Sequence, residues 1–153
     1  MNNEELISRN TIYASGFFYY ITKSHDSYLY SYMKEYGLKG NEYPFLLYLF
    51  DYNGTTQIEI AESFKIPKSQ VSRSFKKLEE KGLVKREKNK DNRKYNKLFL
   101  TPKAYEIIEK LAEAEIKWSE MIYNSINADK EKSREILTKI ATDALNFTDK
   151  EVK

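Results

Sequence analysis

The sequence predicts a mainly α-helical fold with a small two- or three-stranded β-wing: a winged helix-turn-helix with N- and C-terminal dimerisation helices. Three observations carry that prediction. Only 5 Gly and 3 Pro punctuate 153 residues, and long stretches between them repeat apolar side chains at helical spacing. Residues 56–101 read as helix, turn, helix, and then two short strands joined by the polar tip KNKDNRK. The charge is concentrated there: from Lys65 to Lys97, thirteen Lys or Arg face four Asp or Glu, a surplus of nine in a chain whose net charge is only +3. A positive patch on a slightly acidic body is the electrostatic footprint of a phosphate-backbone binder.

The first element spans Leu6 to Tyr36 as one long helical pattern, with Leu6, Tyr13, Phe17, Ile21, Tyr28, Leu29, Tyr32 and Tyr36 on one face. A Gly just past the last periodic residue is a usual helix stop, so Gly37 or Gly40 ends it. A stripe of that length needs a partner along all of it. Asn41 is placed to cap the next helix, about 42–52, with Glu42 in its first turn and Pro44 early enough to be tolerated. That helix is apolar nearly all round (Phe45, Leu46, Leu47, Tyr48, Leu49, Phe50) and is expected at the centre of the core. Asn53-Gly54 breaks it.

Thr56 caps a short helix, Gln57 to Phe64, and Lys65-Ile66-Pro67 makes the turn. The second helix of the pair runs from about Lys68 to Lys81. Val71, Phe75 and Leu78 face inward, which puts Ser69, Ser72, Arg73, Lys76 and Glu80 outside. Gly82 ends it. Leu83 to Glu87 and Tyr95 to Leu100 are the strands, with Leu98 and Leu100 on one face. Thr101-Pro102 is a helix start, Thr as cap and Pro at the first position. Some twenty helical residues follow, then a break at Asn124 to Asp129 and a final helix carrying Ile136, Leu137, Ile140, Ala144, Leu145 and Phe147, with a polar tail after Thr148. The division is 1–36 for the N-terminal dimerisation helix, 37–101 for the winged core, 102–148 for the C-terminal dimerisation helices and 149–153 for the tail.

The totals exclude several classes of function. Without Cys there is no disulfide, thiolate metal site or thiol redox sensor. His25 is the one His, and no His, Cys and carboxylate cluster has metal-ligand spacing, so neither a metal nor another cofactor is expected. No nucleophile elbow or phosphate-cradling Gly loop points to an enzyme. No apolar run approaches the roughly 20 residues of a membrane span, and the opening MNNEELISRN places acids where a secretion signal carries Lys or Arg. The chain is expected in the cytoplasm.

A helix-turn-helix presents the start of its second helix to the DNA major groove. Here that start offers Lys68, Ser69, Gln70, Ser72, Arg73 and Lys76. Gln pairs with adenine and Arg with guanine through two hydrogen bonds each. In the wing, Lys90, Asp91, Arg93 and Lys94 complete the set. An Arg at a hairpin tip suits a narrow minor groove, and an adjacent Asp can steady its guanidinium.

From about Tyr36 to Ile108 the sequence resembles the multiple-antibiotic-resistance regulator (MarR) family of winged-helix transcription factors. The resemblance rests on QIEIAESF at residues 57–64, SQVSR at 69–73, LEEKGLVKR at 78–86, and Asp91-Asn92-Arg93 followed by Leu100-Thr101. It implies a homodimeric, sequence-specific repressor on a pseudo-palindromic operator in double-stranded DNA, with Arg93 in the minor groove and Asp91 steadying it. It also implies release by a small aromatic or anionic effector. Phe17, Phe18, Tyr43 and Tyr48 are the candidates to line its pocket, against an ordinary packing role for the same rings. One departure bears on the fold: the family places Gly in the turn where this chain has Lys65. If that position is left-handed, Lys costs roughly 1–2 kcal/mol there. The alternative reading is a winged-helix module for RNA, DNA architecture or protein interaction, without an effector; it predicts little sequence preference.

Overall fold

The computed structural model describes residues 2–10, 13–89, 95–126 and 129–152. The α-helices and strands of the described residues follow in order: α1 Asn3–Asn10, α2 Ala14–Met33, α3 Glu42–Asp51, α4 Gln57–Ser63, α5 Lys68–Glu80, β1 Val84–Lys88, β2 Asn96–Leu100, α6 Pro102–Ser125 and α7 Lys130–Glu151. The expected fold class is the observed one, helical with a two-stranded antiparallel wing in which Val84 pairs with Leu100 and Lys88 with Asn96. A single bridge from Thr56 to Lys97 stands beside it, where a third strand would lie.

The single helix expected from Leu6 to Tyr36 is instead two. Tyr13 is extended (φ −112°, ψ 151°) and starts α2. In the last turn of α1, the Asn10 amide donates to the Leu6 carbonyl at 2.8 Å, the kind of local competition that makes Asn a poor helix interior residue. After α2 a 3-10 turn, Lys34–Tyr36, ends on Gly37 at φ +66°, a left-handed stop that Gly adopts at no steric cost.

The chain divides into two compact units, Met1–Ala114 and Glu115–Lys153. The first holds the core. Phe45 of α3 is fully buried, stacked on Phe75 of α5 (centroids 5.3 Å) and edge-on to Phe64 after α4 (5.1 Å). Three rings thus tie the three helices that position α5. Val71, Phe75 and Leu78 are all buried, as their spacing demands, and so are Leu98 and Leu100. Leu47 and Tyr48 of α3 are only half-buried, and Phe50, near its end, is exposed. Asn53 pins the wing: its side chain accepts from the Leu100 N–H and donates to the Tyr105 hydroxyl, both at 3.1 Å. Gly54, at φ +87°, lies where a Cβ would meet the Phe99 ring at 3.1 Å, so no larger residue fits without a shift.

Two caps set the ends of α4 and α3 differently. Thr56 accepts from the Glu59 N–H, and the Glu59 carboxylate reaches back to the Thr56 N–H at 2.7 Å, a reciprocal capping box. Asn41, expected to cap α3, makes no side-chain capping bond. Glu42 acts there instead, its carboxylate accepting the Lys39 N–H at 2.9 Å.

Hydrogen bonds from the Thr56 backbone, and then from the Thr55 and Thr56 hydroxyls, hold the Glu59 carboxyl below its ordinary value of about 4.5. A depressed folded-state pKa stabilises above the unfolded value, and the contribution disappears as pH falls through the folded one. Glu59→Ala is therefore expected to cost about 1 kcal/mol at neutral pH. Its deficit against the wild type should shrink as the pH is lowered from about 4.5, followed by urea unfolding at each pH.

Lys65 has φ +53°, so the turn does place a non-glycine residue in the left-handed region. Lys65→Gly is expected to stabilise by about 1 kcal/mol, less than the steric relief because Gly loses more entropy on folding. Differential scanning calorimetry should show a midpoint about 2–4 °C higher.

The second unit contains the end of α6 and α7. Asp129 caps α7 by accepting the Lys132 N–H at 2.8 Å, and buried Ser133 donates to the Asp129 carbonyl at 2.9 Å. The helix continues through Glu151, past the point where the polar tail was expected to begin. Ile136, Leu137, Ile140, Leu145 and Phe147 are exposed along it.

Candidate nucleic-acid interface

α5 begins after Pro67, extended at φ −60° and ψ 138°, which is the usual backbone for a residue preceding a helix. Its buried stripe fixes the rotation of the helix about its axis. Lys68, Ser69, Ser72, Arg73 and Lys76 are exposed, as the spacing requires, while Gln70 is half-buried. At about 100° per residue, Ser69, Arg73 and Lys76 centre the outer arc; Lys68 and Ser72 turn to one flank and Gln70, Ser74 and Lys77 to the other.

Each flank borders a cleft of about 310 Å³. On the wing side it is lined by Gln57, Ile58, Lys68, Arg86, Tyr95, Asn96 and Leu98. Arg86 of β1 pairs with Glu79 of α5 at 2.7 Å, which couples the wing to the helix. The Gln57 amide nitrogen is buried at this cleft, with no hydrogen-bond partner among the described residues. On the other side the cleft lies between α5 and the start of α3, lined by Lys39, Gly40, Asn41, Glu42, Gln70, Arg73, Ser74 and Lys77.

The wing-tip candidates Lys90, Asp91, Arg93 and Lys94 lie outside the described residues. The four aromatic candidates differ in their surroundings. Phe17 and Phe18 are about half exposed on α2, whereas Tyr43 is buried in the core of α3. Tyr48 is bonded to the Ser63 hydroxyl at 2.9 Å and borders a polar cleft with Tyr52, Glu59 and Glu62. Lys39, Asn41, Gln57, Lys77 and Arg86 border the interface without having been singled out by the sequence reading. Lys77 and Arg86 belong to the basic segment; Lys39 reaches α5 only through the fold.

Among the described residues no cluster of His, Cys, Asp or Glu could hold a metal ion, and no helix is long and apolar enough to cross a membrane. A capped first helix, a short turn, an exposed polar and basic second helix and a two-stranded wing together define a winged helix-turn-helix. Residues 33–110 match the family model described as sugar-specific transcriptional regulator TrmB. The chain belongs to that family, and its fold is that of the MarR regulators its motifs resemble. A crystal structure of MarR superposes with a TM-score of 0.76 at 24% identity, covering 98% of each chain. The MepR–DNA complex of S. aureus gives 0.76 at 16% identity over 88% of this chain and 98% of that one. A Bacillus subtilis protein, the uncharacterized HTH-type transcriptional regulator YybA, is 30% identical over 74 residues. That match spans about half the length of each chain, 48% of this one and 49% of the relative.

Proposed function

We propose that this chain is a sequence-specific DNA-binding repressor that acts in the cytoplasm as a homodimer on a pseudo-palindromic operator. The observation that carries the reading is the outer arc of α5, where Ser69, Arg73 and Lys76 stand exposed between two clefts that bear further cationic side chains. That arrangement suits a helix laid in a major groove, with base-reading side chains in front and phosphate-facing ones on the flanks. The similar MepR fold has been solved with DNA, which supports the same use of this surface. Arg93 and Asp91 in the wing are assigned the minor-groove role that the motif implies.

The dimer reading is supported by apolar side chains left exposed on helices outside the winged core. Phe17, Phe18 and Ile21 of α2 and Ile136, Ile140 and Phe147 of α7 are each more than a third exposed. Helices that carry such stripes gain stability by burying them, and a second copy of the flanking helices supplies the matching surface. Release by a small aromatic anion fits the wing-side cleft, which combines Lys68 and Arg86 with the Tyr95 ring and the Gln57 amide, unpartnered among the described residues.

Selection of bound sites from a random double-stranded DNA pool tests the proposal. The expected result is a palindrome with half-sites about one helical turn, 34–36 Å, apart, bound by a species of twice the chain mass in light scattering. Failure to enrich any sequence, or a monomer on the DNA, would overturn it. Titration with benzoate should then lower operator occupancy in the wild type if the wing-side cleft takes the effector.

A further inference from the structure

The flank of α5 that faces the start of α3 is rich in cationic side chains. Three cationic side chains, Lys39, Arg73 and Lys77, border its cleft. All three residues are exposed, and none has an ion-pair partner among the described residues. The one carboxylate in the wall, Glu42, is 2% exposed and already engaged. Lys81, at the end of α5, pairs with it, and the Lys39 N–H donates to the same carboxylate oxygen. Lys81 also donates to the Gly37 carbonyl at 2.6 Å. The acid is thereby neutralised from behind, the loop before α3 is fixed against α5, and the cleft keeps its positive charge. Asn41 makes no capping bond to α3, so its side chain is not committed to that helix.

A major groove about 12 Å wide is bordered by two phosphate strands, and a helix lying in it has one along each flank. Lys68 and Arg86 serve the wing-side flank. We propose that Lys39 and Lys77, with the Asn41 amide, form a second binding site for a DNA backbone phosphate, on the strand that passes the α3 side of the recognition helix. The site rests on the DNA-binding reading above and adds to it the contact that fixes α5 from its other side. Arg73, nearer the centre of the outer arc, is left to the bases.

The test uses the full chain and the operator duplex recovered by pool selection. Lys39→Ala and Lys77→Ala are each expected to lower the slope of log Kobs against log[salt] by about one. The ratio of operator to random-duplex affinity should stay within about twofold of wild type, because phosphate contacts carry no base information. Replacing single phosphates by neutral methylphosphonates should locate one position that weakens the wild type and has no further effect on Lys77→Ala. Urea midpoints unchanged from wild type would show that both variants fold. A wild-type slope in both variants, or a changed base preference in place of a changed slope, overturns the site while leaving the regulator reading intact. A wild type that selects no DNA overturns both.

Discussion

Phe45→Ala is expected to lower the stability of the winged unit by about 3–5 kcal/mol, the range seen when a buried aromatic is cut to its β-carbon. Phe45 is fully buried, and its ring contacts one aromatic from each helix of the helix-turn-helix pair, Phe64 and Phe75. Removing it takes away two ring–ring contacts and leaves a void where α3, α4 and α5 meet. A domain of ordinary stability holds about 5–15 kcal/mol in total, so the variant is expected to be partly unfolded at growth temperature. The urea midpoint should fall by one to several molar with little change in slope. Phe45→Leu should lose less, because it refills most of the space. A midpoint shift equivalent to less than about 1 kcal/mol, the size of an average substitution, would mean that the three rings are not the tie between these helices.

That junction also shows what the sequence makes legible. Val71, Phe75 and Leu78 repeat at three- and four-residue steps, so they could be placed inside and Arg73 outside without any coordinates. Thr56 with Glu59, and Leu98 with Leu100, are equally local signals, one a capping box and the other an alternation of period two. Spacing of this kind assigns a face to each element. It does not say which distant face will meet it. Glu42 was read as a first-turn acid, an exposed helix-start residue by every local rule. Its burial depends on Lys81, which the fold brings from the far end of α5. Lys39 joins the same interface through that contact, and no pattern around residue 39 could have announced it. The break at Tyr13 is hidden for a related reason: the apolar period runs on through it, while the Tyr13 backbone is extended and a new helix starts. A ring on an apolar face has the same sequence signature whether it packs, as Tyr43 does, or stands exposed, as Phe17 does.

Arg73→Ala is expected to cost operator binding about 1–3 kcal/mol, a factor of roughly 5 to 150, and to relax preference at one base pair in each half-site. The side chain sits on the outer arc, away from Val71 and Phe75, and is exposed, so folding should be unaffected. Ala is the better helix former, and the thermal midpoint should hold or rise slightly. Arg73→Lys separates the two ways the residue could act. A phosphate contact needs charge and tolerates Lys; a bidentate contact to guanine needs the planar fork and does not. If Arg73 reads a base, Arg73→Lys loses nearly as much discrimination as Arg73→Ala while keeping most of the salt dependence. If Lys restores both affinity and preference, Arg73 is a backbone contact like Lys77, and base reading must fall to Gln70, Ser69 and Ser72. Gln70 is half-buried against the α3 side, so it could then reach only the bases at that edge of the groove, and the site recovered from a random pool would be specified at fewer positions per half-site.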